Sequence, residues 1–359
     1  MKEEIKQRFD AWWNHEKTDR PMIKLIRQKP DADFSETTDL KTIIRSNEDI
    51  HLNPRVRVED IRNQTIVWDF LLEAFPYVDM NMGAGSMACY YACNPEFRPD
   101  TVWFKEAEID SLDQLGEVGF EKSTKWFRFH LDRIAEAKRL TRGEFPCTIP
   151  DILENLDVLS NIRGPQNLCF DLADDPTCVK KYLDQIDRDY MKYYDAFYDL
   201  VREEDGSCVY TAFSIWGRNK TAKLQCDFSC MISEEMYDEL VLPYIRRQCE
   251  QIPYTLYHVD GKDAIRHVKS LCTIDELKAI QWEPGAGEAD CGEEKWFPLY
   301  DQVMDAGKSL WLSFGNGDVE NWIRRAKKIA DRYANRGLYF HFPVCTLDQA
   351  DRIRKAFGC

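Results

Sequence analysis

Pro253-Tyr254-Thr255-Leu256-Tyr257-His258-Val259-Asp260-Gly261-Lys262-Asp263 is an apolar run that ends on a histidine and an acid, then breaks at glycine. A short apolar run closed by glycine predicts a buried strand, a turn and a helix opening at Asp263. Side chains alternate along a strand, so His258 and Asp260 leave the same face of one strand tip. In α/β barrels that end of the strand carries the chemistry. An imidazole beside a carboxylate there begins a metal site or an acid–base pair. The same two groups also serve simply to hydrogen-bond a turn.

Seven further apolar runs share this character: 21–27, 77–82, 145–149, 207–213, 279–283, 309–314 and 337–342. The later ones are nearly continuous in apolar residues, as parallel strands covered on both faces should be. Helical periodicity lies between them, at 58–75, 126–140, 176–201 and 319–334. Eight strands alternating with helices predict an α/β fold, a (β/α)8 barrel of one domain spanning 1–359. Residues 1–20 read as a helical N-terminal extension, and 83–100, rich in Gly, Cys, Tyr and Pro, as a long functional loop.

The chain has 359 residues, a net charge of −15 and 44% hydrophobic residues. That size buries a large core. The acidic balance argues against nucleic acid, which needs a basic patch. No run reaches the ~20 apolar residues of a membrane helix, and the charged start lacks a signal-peptide core. Thirteen scattered cysteines, an odd number, suit reduced thiols in a cytoplasm. Cys89 with Cys93, and Cys226 with Cys230, are spaced four apart, a weak metal signal that incidental placement explains as well.

The ends of the expected strands collect His258, Asp260, Glu283, His341 and Cys345. This set is rich in metal-ligand types, and its mixture of nitrogen, oxygen and sulfur suits zinc. Asp260 and Glu283 are the candidate catalytic carboxylates. Trp216, Trp282, Tyr257 and His341 are candidate substrate-binding groups. Each has a structural alternative. Glu283 precedes Pro284 and can cap the turn. Cys345 can be a small buried hydrophobe. His341 lies between two phenylalanines and can belong to the core, as can the tryptophans. Asp151 follows Pro150 and reads as a helix N-cap.

With these residues in place the chain resembles the uroporphyrinogen decarboxylase superfamily, whose members are α/β barrels. The likeness is carried by Gln225-Cys226-Asp227-Phe228, Ile232-Ser233-Glu234-Glu235-Met236, Leu242-Pro243-Tyr244 and Tyr257-His258-Val259-Asp260-Gly261. Asp19-Arg20-Pro21 and Arg163-Gly164-Pro165 add to it. Where decarboxylases of that family grip substrate carboxylates with an Arg-Gln-Ala-Gly-Arg segment, this chain has Arg27-Gln28-Lys29-Pro30-Asp31. The anion-binding arginine pair is incomplete, which argues against porphyrinogen decarboxylation. The zinc methyltransferases of the superfamily bind zinc through a His-x-Cys pair and a later Cys. Those positions match His258, Asp260 and Cys345, with a carboxylate replacing one thiolate and Glu283 available as a fourth ligand.

The resemblance therefore implies a zinc-dependent methyltransferase acting on a small molecule. A corrinoid protein would be its partner and methyl donor, and a homodimer is compatible with the family. Two alternatives stay open. One is a metal-free lyase, decarboxylase or hydrolase using Asp260 and Glu283 as acid and base. The other is a barrel that binds a ligand without turnover.

Overall fold

Burial governs where strands form along this chain. The computed structural model describes every residue from Met1 to Cys359 as a mixed α/β chain. In chain order the strands are β1 (Met22–Gln28), β2 (Trp68–Leu72), β3 (Asn94–Phe97), β4 (Val102–Lys105), β5 (Thr148–Ile149) and β6 (Cys208–Tyr210). They continue with β7 (Ile215–Gly217), β8 (Thr221–Gln225), β9 (Tyr254–Asp260), β10 (Ala279–Glu283), β11 (Ser309–Ser313) and β12 (Leu338–His341). Two compact units result. The first holds Met1–Thr38, Ile61–Pro76 and Tyr254–Cys359; the second holds Asp39–Asp60 and Tyr77–Pro253.

In the first unit, strands lie side by side in the order β2-β1-β12-β11-β10-β9. The five from β1 to β9 run parallel, and β2 is antiparallel on β1. Residues 279–282, 309–312 and 338–340 are all buried, which is why these strands read as unbroken apolar runs. One sheet face carries Phe314, Phe340 and Phe342, which pack with Phe357 of the Leu347–Phe357 helix. A capping box between Thr346 and Gln349 starts that helix. On the other face, Tyr339 meets Phe9 and Trp12 edge-on, with ring centroids 5.8 and 5.5 Å away. Both come from the Glu3–Trp13 helix, the expected N-terminal element. Burying such a ring contributes roughly 1.5–3 kcal/mol.

The second unit is built on the Pro176–Val201 helix, capped by Asp175. Its stripe of Val179, Tyr182, Leu183, Ile186, Tyr190, Tyr193, Tyr194 and Phe197 is buried, as the spacing requires. Strand β5 pairs parallel with β6, β6 pairs antiparallel with β7, and β3 with β4 forms a separate hairpin.

Several expectations are revised here. The run 77–82 makes only an isolated bridge, Val78 to Cys147, because Asp79 and Asn81 turn their side chains onto the local backbone. The helix expected over 58–75 is Pro54–Val67, and the aromatic end of that stretch becomes β2. The loop at 83–100 contains the Ser86–Tyr91 helix and the start of the β3–β4 hairpin. Strand β6 stops early because Phe213 and Ser214 take positive φ (61° and 53°), reversing the chain into β7.

Candidate functional site

The site is best built from strand register. In the first unit, His258 stands opposite Gln281 and Asp260 opposite Glu283. Gln281 stands opposite Trp311, Ser313 opposite His341, and Lys24 opposite His341. Paired residues in a sheet share a face. One face of the parallel sheet therefore carries, strand by strand, Lys24, His341, Ser313, Glu283 and Asp260. A register step below lie Tyr339, Trp311, Gln281 and His258. The rings confirm the shared face, since Trp311 lies 6.0 Å from Tyr339 and 5.3 Å from His341.

Within this row His258 and Asp260 bring ligand atoms within 4.8 Å of one another. Gln281 Oε1 accepts from His258 Nδ1, which leaves Nε2 as the nitrogen with a lone pair. This is the outer-sphere arrangement that metal-binding histidines use. One imidazole and one carboxylate, oriented in this way, suit a divalent transition metal such as zinc.

Glu283 is half-buried. Burial, and then the negative charges of Asp260 and Asp290, push its carboxyl above the usual range. The charge of Asp260 thus helps Glu283 hold a proton. His341 is held neutral: burial, then the Lys24 charge, lowers it to about 3. Burial lowers Lys24 to about 8.

The remaining candidates are placed as follows. Cys345 is not grouped with His258 and Asp260. Its backbone N donates to Ile26 O at 2.8 Å, beside β1, and its thiol donates to Pro343 O at 3.1 Å. Burial pushes that thiol up to about 11. Tyr257 and Trp282 point to the opposite side of their strands from His258 and Glu283. Trp282 is fully buried against Trp296, centroids 5.0 Å apart. Trp216 is buried on β7 in the second unit, under Arg218. All thirteen cysteines are free thiols.

Sequence reasoning missed three residues. Lys24 lies on β1, and only register reveals its neighbours. Gln281 lies within β10, and only register sets it opposite His258. Asp290 is buried and accepts from the backbone N–H groups of Gly292, Gly315 and Asn316 at 2.8, 3.1 and 3.1 Å, fixing the loop after β11.

The second unit holds a separate buried polar network. Lys223 Nζ lies 2.8 Å from Asp151, which also accepts from Tyr210 OH at 3.1 Å. Asp151 is therefore an ion-pair partner and not the expected N-cap; the helix starts at Asn155, four residues on. Gln225 Nε2 donates to Asp227 at 2.8 Å, and Asp157 accepts from the backbone N of Asp227 and Phe228 at 2.8 and 2.9 Å. Glu154 is fully buried, and burial raises its carboxyl well above the usual range. Elsewhere in this unit Asp113, Asp175 and Cys178 gather within 4.8 Å. Asp175 caps the long helix and the Cys178 thiol donates to Asp113, so local structure accounts for that group.

No protein-family model matches this sequence, and a search of characterised proteins finds no match. Among solved structures the chain is similar to a methyltransferase from Methanosarcina mazei. The likeness covers 99% of this chain and 98% of that one, at 9% identity and a TM-score of 0.63. The two share a fold. No helix is long and apolar enough to cross a membrane.

Proposed function

We propose that the chain is a zinc-dependent methyltransferase of the uroporphyrinogen decarboxylase superfamily, a family of α/β barrels. It would move a methyl group from a corrinoid carried by a partner protein to a small acceptor. The observation that carries the reading is the His258–Asp260 pair on one strand tip, with Gln281 holding Nδ1. Fold likeness to a methyltransferase, together with the sequence resemblance, supports this reaction class.

Zinc would be held by His258 and Asp260. Bound there, it supplies a Lewis acid that lowers the pKa of a coordinated acceptor. The chain's own residues do the rest. Gln281 fixes the imidazole. Glu283, with its raised affinity for a proton, takes up the proton the acceptor gives up. His341, neutral throughout the working range, offers the acceptor a hydrogen bond without adding charge. Elemental analysis of untagged protein tests this. About one zinc per chain, lost in His258→Ala and in Asp260→Asn, is expected; metal-free protein that takes up no zinc sinks it.

The raised Glu283 carboxyl beside Asp260 favours one alternative, metal-free acid–base catalysis by a lyase or hydrolase. Turnover that survives chelators and shows two carboxylate-like limbs in its pH profile selects that reading.

A further inference from the structure

Lys24 carries a nucleophilic group that none of the chemistry above uses. It lies mid-way along β1, paired with His341 of β12 on one side and Leu72 of β2 on the other. Two layers of side chains share its sheet face. The lower layer, Met22, Tyr339, Trp311 and Gln281, is buried throughout. Phe9 and Trp12 close it from beneath, their rings edge-on to Tyr339. The upper layer, Lys24, His341, Ser313, Glu283 and Asp260, is part-exposed, and Asp260 fully so. Solvent therefore reaches the layer of Lys24 and stops at the aromatic floor under it. Ile26 and Phe70, paired across β1 and β2 on the same face, add an apolar flank.

This placement favours the neutral amine. An ammonium on an apolar floor loses hydration, and burial brings Lys24 to about 8. A lysine desolvated in this way is an activated nucleophile. Its neighbour His341 is neutral, and its ring N–H can polarise a carbonyl oxygen without competing for the site as a charge. An apolar body with one carbonyl group matches what these residues offer.

We propose that Lys24 is an imine-forming nucleophile that captures a small apolar aldehyde on this floor. The Nζ lone pair attacks the carbonyl carbon. The two amine protons pass to the carbonyl oxygen, which leaves as water, and a carbon–nitrogen double bond remains. The step needs no metal and does not rest on the zinc reading.

Benzaldehyde is the probe, given to the full chain at neutral pH with a chelator present. Sodium cyanoborohydride reduces any imine, and peptide mass spectrometry maps the benzylated lysines. A pKa near 8 against about 10.4 enriches the neutral amine roughly 200-fold, partly offset by its weaker intrinsic nucleophilicity. Labelling at Lys24 should therefore run about 10-fold faster than at the exposed Lys122 and Lys327. It should saturate with benzaldehyde, and at lower concentration than with the polar glyceraldehyde. Lys24→Arg and Lys24→Met, checked for folding by circular dichroism, should lose the fast phase. Even labelling of all exposed lysines, a Lys24 rate that rises linearly without saturation, equal saturation by the two aldehydes, or a fast phase that survives in either variant overturns the proposal.

Discussion

Gln281 decides which nitrogen of His258 carries the proton. An outer-sphere partner of this kind is worth about 10–100-fold in metal affinity. Gln281→Leu should therefore weaken zinc by that factor in competition with a chelating dye, while Gln281→Glu restores much of it. Unchanged affinity in the leucine variant would mean that His258 needs no such support. Lys24 makes a second prediction, about pH. Its amine titrates near 8 in the folded chain against about 10.4 in water. Burial disfavours the cation, so between those values the unfolded chain holds a proton that the folded chain has released. Unfolding free energy should rise with pH across that window, and Lys24→Met should remove the rise. Acetic anhydride labelling at Lys24, followed by peptide mass spectrometry, should show a midpoint near 8. A midpoint near 10 refutes the placement. Neither role was legible in the sequence. Lys24 lies more than 300 positions from His341, and only the β1–β12 register makes them neighbours.

At the scale of elements, the β3–β4 hairpin depends on the lack of a side chain at Gly85. A methyl there would meet Phe104 carbons at 2.5 and 2.7 Å. Overpacking of this sort costs about 1–3 kcal/mol. Gly85→Ala should destabilise the chain by that amount in urea unfolding, and Phe104→Leu should recover most of it in the double variant. Additive losses would show that the ring and the glycine do not oppose each other. Legibility divides at the same scale. Strands β9 to β12 stood out because both their faces are covered, which leaves an unbroken apolar run. Strands β2, β3, β4, β7 and β8 did not. Trp68 to Leu72 continues a helical pattern, and its extended form comes from pairing with β1. The hairpin alternates half-buried and exposed residues over only four positions a side, too few for periodicity to register. Candidate-site legibility follows the same physics. Asp260 and Glu283 sit next to glycine or proline at strand ends, where sequence marks the turn, and His258 lies two residues before Asp260 on the same face. Residues in mid-strand, such as Lys24, carry no such mark.

The proposed zinc ligands all belong to the first unit, which makes the metal's effect on the molecule spatially specific. A ligand that binds only the native state stabilises it by RT ln(1 + [L]/Kd), about 2.7 kcal/mol at 100 times Kd. That stabilisation is felt by segments whose opening would break the site. Strand β9 bears His258 and Asp260, and Gln281 of β10 holds the imidazole, so opening this part of the sheet releases the metal. The Pro176–Val201 helix buries its stripe within the second unit and can open without disturbing a ligand. Hydrogen exchange should therefore separate them. Adding zinc to chelator-treated protein should slow exchange in peptides covering 254–260 and 279–283, by up to about 100-fold where opening breaks the site. Peptides from the long helix should change little. His258→Ala should abolish the slowing without altering exchange in the helix. Uniform slowing along the chain would point to adventitious binding at surface carboxylates, which a net charge of −15 makes plentiful. Slowing that persists in His258→Ala would place the metal elsewhere.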